Sequence, residues 1–135
     1  MSAELDERQK KQVLAEVRHC IEKANRALGC NLSQPDIRFD LRGRAAGQFC
    51  LRQERLQLRF NSALFARYFE ENLAQTVPHE VAHYLVYALY MRAGRKRVNP
   101  HGPEWQSMMR LLDAAPVTRH NFSLDGLPVR REQRF

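Results

Sequence analysis

His79, Glu80 and His83 stand in the order His-Glu-x-x-His, within Val77-Pro78-His79-Glu80-Val81-Ala82-His83. On a helix, positions four apart share a face. Both imidazoles can then reach one metal ion, while Glu80 points near the ion's open coordination position. The ion lowers the pKa of a bound water, and the carboxylate can take its proton. The chemistry is metal-assisted hydrolysis, most often of a peptide bond. Two histidines and a glutamate facing a core without a metal would be costly to bury, which argues against a chance pattern in a core helix.

A catalytic zinc usually takes three protein ligands and keeps a fourth position for water. The other histidines are His19, His101 and His120. His101 is the best third ligand. It lies just before a helix that must pack back on the core, and Gly102 frees the backbone beside it. Glu104 is the second choice, as a glutamate ligand on a following helix. The metzincin pattern is excluded, because it needs Gly and His where this chain has Val86 and Leu89. Three imidazoles and one open site favour a single Zn²⁺. Tyr87, four residues beyond His83, and His120 are candidates to stabilise the oxyanion of the transition state. Tyr84 directly follows a ligand and points to another part of the helix.

The elements that must position these groups read as α+β. Residues from about Leu5 to Leu28 carry Val13, Val17, Ile21, Ala24 and Leu28 at helical spacing, with Gly29 as a stop. His19 falls off that stripe and reads as a surface residue. Three strand candidates follow: Ile37 to Leu41, Gln48 to Leu51 and Arg55 to Phe60, with a turn at Gly43 to Gly47. A small, mostly antiparallel sheet is expected. Asn61 and Ser62 open a helical turn around Leu64, Phe65 and Tyr68. The motif helix runs roughly from Glu71 to Met91. Pro78 implies either a start near Thr76 or a kink. Pro103 opens a short helix whose Trp105, Met108, Met109 and Leu112 read as core.

The chain has 135 residues, 44% of them hydrophobic, and reads as one domain over residues 1–135 with a tail at 114–135. No apolar run approaches a membrane span, and the charged start lacks the apolar stretch of a secretory signal. A cytoplasmic protein is expected. Cys20, Cys30 and Cys50 form no CxxC pair, so neither a disulfide framework nor a cysteine zinc site is indicated, and Cys20 reads as core. The net charge of +7 favours a polyanionic partner, DNA above all. Arg92, Arg95, Lys96 and Arg97, between the motif helix and His101, are the best phosphate contacts. Arg42, Arg44, Arg52, Arg55 and Arg59 form either a second patch or merely the solvent face of the sheet.

His79-Glu80-x-x-His83, joined to His101-Gly102-Pro103-Glu104-Trp105, resembles the SprT-like zinc metalloproteases, which include bacterial SprT and the eukaryotic Spartan proteases. The resemblance extends to the Leu28-Gly29 pair, the Gly43 to Gly47 turn, Val77 to His83 and Arg119-His120-Asn121-Phe122. It covers nearly the whole chain. It implies a zincin-like domain with zinc on His79, His83 and His101, Glu80 as general base, and peptide-bond hydrolysis. In the Spartan branch of the family the substrates are proteins bound or crosslinked to DNA, and the resemblance extends that expectation to this chain. Many bacterial members carry a C-terminal zinc ribbon, and the cysteine pairs of such a ribbon are not in this sequence. The alternative reading is a non-catalytic, zinc-stabilised DNA-binding module.

Overall fold

The computed structural model describes residues 4–92, 94 and 98–118. Helix α1 (Glu7–Leu28) starts at Asp6, which accepts from the Gln9 backbone N–H at 2.7 Å. The Gln9 side chain answers the Asp6 N–H at 3.1 Å. The reciprocal pair satisfies two N–H groups that the first turn leaves over. Gly29 ends the helix at φ 64°, a left-handed cap that costs glycine nothing. Val13, Val17, Cys20, Ile21 and Ala24 form its buried stripe, and His19 is exposed. Burial pushes the Cys20 thiol up to about 12, so it sits in the core as an unreactive side chain. Cys20, Cys30 and Cys50 form no disulfide.

The sheet is mixed, with the order β1-β3-β2. Strands β2 (Gly47–Arg52) and β3 (Arg55–Phe60) form an antiparallel hairpin pairing Phe49 with Leu58 and Gly47 with Phe60. Gln53 and Glu54 turn it with φ 51° and 62°, the left-handed values that a tight two-residue hairpin requires. β1 corrects the expected antiparallel arrangement. It spans only Asp36–Arg38 and pairs with β3 in parallel. After Arg38 the chain leaves the ladder and crosses to begin β2 on the far side of β3. The hairpin then brings β3 back in β1's own direction.

Helix α2 (Ser62–Arg67) is capped by the Asn61 side chain, which accepts from Leu64 N–H at 3.1 Å. Helix α3 (Phe69–Val86) follows and passes into a π-helical turn at Tyr87–Met91. Helix α4 (Pro103–Leu111) begins with Pro103 behind Gly102. α3 is the centre of the molecule, packing on α1, α4 and β2. Every residue from Thr76 to Val86 is buried. Such a helix shows little amphipathic pattern, because each of its faces is covered. Its start is tied by Asn72, whose amide donates to the Leu64 and Phe65 carbonyls and whose oxygen accepts from the Thr76 hydroxyl at 2.5 Å.

A start of the motif helix near Thr76 is thereby corrected. Pro78 lies inside α3 and deprives the Ala74 carbonyl of its usual donor. Packing on several sides sustains the helix without that hydrogen bond. Among the described residues, no helix is long and apolar enough to cross a membrane.

Candidate metal centre

Helix α3 presents His79 and His83 from successive turns, and both are buried. His101 arrives from the loop before α4. The loop is held by Gly102 N–H on the Asn99 carbonyl at 3.1 Å and by the Gln106 amide on the His101 carbonyl at 3.1 Å. The three imidazoles converge. His101 Nε2 lies 3.2 Å from His83 Nε2 and 3.3 Å from His79 Nε2. Tetrahedral ligands about 2.0–2.1 Å from a zinc ion stand about 3.3–3.4 Å apart. The spacing and the all-imidazole donor set therefore fit one small tetrahedral cation. Among the described residues this is the one His/Cys/Asp/Glu cluster able to hold a metal ion. Glu104 is not part of it; its carboxylate lies beside Gly102 in the first turn of α4.

Glu80 sits next to the triangle, with Oε2 4.0 Å from His79 Nε2 and only 6% of its surface exposed. Its neighbour on the sheet side is Gly47, the first residue of β2. A Cβ on Gly47 would meet Glu80 Cγ and Thr76 Cγ2 at 2.9 Å, and Glu80 Oε2 at 3.2 Å. The bare glycine leaves the space that the carboxylate occupies. In the sequence, Gly47 reads only as the end of a turn.

Trp105 is a second residue whose role the sequence hides. It is core, as its spacing predicts, but it is also the floor of the site. Its ring centroid is 4.9 Å from that of His79, 5.7 Å from His83 and 4.7 Å from His101. Its indole N–H donates to the His79 carbonyl at 3.2 Å. A buried tryptophan needs a partner for that N–H, which is the one signal the sequence offers. With His101 held on a half-buried loop, His101→Ala should fold normally and lose divalent-metal affinity. The loss should exceed about 100-fold, since outer-sphere partners alone cost about 10–100-fold. Titration against a competing chelator measures it, and an affinity within a few-fold of wild type would remove His101 from the ligand set.

Tyr87 lies beside the site, with its ring 5.8 Å from that of Phe49 and the Arg92 guanidinium 5.7 Å from the ring centre. Tyr84 is turned away. It is buried, and its hydroxyl donates to the Ser33 carbonyl. Burial raises its pKa, which suits a structural phenol. Arg92 is exposed at the end of the π-helical turn. Arg95, Lys96, Arg97 and His120 lie outside the described residues.

The second group of arginines is largely the paired face of the sheet. Arg55 forms a bidentate contact with Asp36 at 2.6 and 3.0 Å. This contact holds the Asp36 carboxyl below its usual pKa. Arg59 pairs with Asp40 at 2.8 Å and with Gln48 at 3.0 Å, and Arg52 reaches Asp40 at 3.8 Å. Arg42 and Arg44 are exposed.

A family model described as SprT-like matches residues 17–131. Protein SprT of Shewanella oneidensis is 38% identical over 117 residues, covering 86% of this chain and 70% of the relative. Protein SprT of Shigella dysenteriae is 35% identical over 116 residues, covering 85% of this chain and 66% of the relative. Protein SprT of Pasteurella multocida is 31% identical over 122 residues, covering 90% and 70% respectively. The chain thus spans about two thirds of the length of these relatives. No solved structure matches it.

Proposed function

This chain belongs to the SprT-like family, and we propose that it works as a zincin-like, zinc-dependent endopeptidase on proteins bound or crosslinked to DNA. The observation that carries this reading is the buried triangle of His79, His83 and His101 with the Glu80 carboxylate beside it. Zinc bound there would polarise a peptide carbonyl and lower the pKa of water. The protein's own part is acid–base and positional. Glu80 accepts the proton of the attacking water and returns it to the departing amine. Gly47 keeps room for that carboxylate, and Trp105 fixes the three rings from beneath. Tyr87 and His120 are the candidates to stabilise the oxyanion. Tyr87 is supported by its place on the helix one turn past His83.

The DNA part of the reading rests on charge. On the sheet face Arg55 and Arg59 are paired with Asp36 and Asp40. The run Arg92, Arg95, Lys96, Arg97, between the motif helix and His101 in the sequence, is then the strongest basic segment. A soluble protein working in the cytoplasm fits these features.

The test is cleavage of a DNA-binding protein by the zinc-loaded chain, with and without single-stranded DNA. Cleavage stimulated by DNA is expected. Reversing Arg95, Lys96 and Arg97 to glutamate should weaken DNA binding and flatten its salt dependence, by roughly 0.7 in logarithmic slope for each phosphate no longer neutralised. Salt-sensitive DNA binding without cleavage under any condition would instead support a non-catalytic, zinc-stabilised DNA-binding module.

A further inference from the structure

A small pocket opens directly beside His83, bounded by Phe49 of β2, Tyr87 and Met91 of the π-helical turn, and Val98 and Pro100 of the loop that delivers His101. We infer that this pocket is the specificity subsite of the centre, and that it seats one branched aliphatic side chain of a peptide, next to the bond held at the metal. This rests on the peptidase reading above.

Position is the first support. His83 belongs both to the pocket wall and to the metal triangle, so whatever fills the pocket lies against a residue of the triangle. Phe49 is two residues from Gly47 on the same strand. Alternate residues share one face of a strand, about 6.8 Å apart. The face of β2 that makes room for Glu80 at Gly47 therefore continues into the pocket at Phe49. A peptide carbonyl at the metal would place a neighbouring side chain within reach of it.

Chemistry and size are the second support. No lining residue carries a formal charge, and apart from His83 and the Tyr87 ring the walls are hydrocarbon, thioether and proline. An acidic or basic side chain would lose its hydration there without a partner. The cavity measures about 60 Å³. One water-sized centre takes about 10–15 Å³, so it holds about four to six heavy atoms, enough for an isobutyl group. An indole ring is too large for it.

The wall itself is the third support. α3 leaves regular helical geometry where it borders the pocket, with Arg92 N–H bonding back to the Tyr87 carbonyl at 2.8 Å. Single π-helical turns inside helices are frequent at functional sites. Tyr87 through Met91 are all only partly buried, while the preceding turns of α3 are fully covered. Of this turn, Tyr87 and Met91 line the pocket, and the turn also packs against the core.

The experiment compares binding of two short hydroxamates to the zinc-loaded protein, identical except for a methyl or an isobutyl side chain, together with kcat/KM for matched peptides carrying Ala, Leu, Trp or Asp at that position. Wild type is expected to bind the isobutyl compound about tenfold or more tightly than the methyl one, and to favour Leu among the peptides. Val98→Phe and Met91→Phe, which fill the pocket from two independent sides, should bring the binding ratio to about one while leaving methyl-hydroxamate affinity unchanged. Equal affinities in wild type, or a preference that survives both filled variants, would overturn the subsite. If no peptide is cut yet the isobutyl preference is present and vanishes in both variants, the pocket stands and the peptidase reading falls.

Discussion

Glu80→Gln is expected to bind one zinc ion as wild type does and to lose cleavage by about 10²–10⁴-fold, the range that a positioned general base contributes. The substitution preserves shape, so the space beside Gly47 and Thr76 stays filled and the three imidazoles keep their places. An amide cannot take up a proton at neutral pH, so the reaction loses the group that activates water and later protonates the amine. Stability should hold or rise slightly. The carboxylate is buried, and exchanging it for a neutral isostere removes a charge held away from water. Zinc content, thermal midpoint and peptide hydrolysis measured on one preparation separate these effects. Hydrolysis within about tenfold of wild type would remove Glu80 from the chemistry. A loss of zinc together with activity would recast it as a support of the metal site.

The parts of this fold that are legible in the sequence are those fixed locally. Asp6 with Gln9 at one end of α1 and Gly29 at the other are cap signals that need no tertiary context. The alternation of Arg55 to Phe60 announces a strand with one covered face. The His79 and His83 spacing announces a metal-binding face, and His101 is reachable by weighing a few histidines against one loop. What stays hidden depends on chain segments far apart in sequence. The direction of β1 is set by the crossing to β2, and a three-residue strand carries too little pattern to reveal it. The ion pairs of Arg55 and Arg59 follow from that parallel register, which brings Asp36 and the following Asp40 alongside β3. A basic patch judged from composition is therefore partly neutralised. Pro78 looks like a helix boundary because local rules penalise it. Burial of α3 against three neighbours outweighs that penalty.

Gly47→Ala is expected to lower kcat by about 10² while leaving zinc affinity and KM near wild type, since a misplacement of about 1 Å at a reacting centre can cost that much. The added methyl must displace something, because it would stand 2.9 Å from both Glu80 Cγ and Thr76 Cγ2. The strand and Thr76 are both poorly able to yield. Gly47 is held in the ladder opposite Phe60, and Asn61 N–H binds the adjacent Ala46 carbonyl at 2.9 Å. Thr76 is fully buried with its hydroxyl on Asn72. The Glu80 side chain is the member with rotatable bonds, so the carboxylate swings away from the metal triangle while the histidines stay. This separates a positioning role from a purely structural one. Adding Gly47→Ala to Glu80→Gln should then cost little further rate, because the group it displaces has already lost its function. Independent, multiplicative losses in the double variant would mean that the glycine serves the packing of β2 on α3 and leaves Glu80 undisturbed.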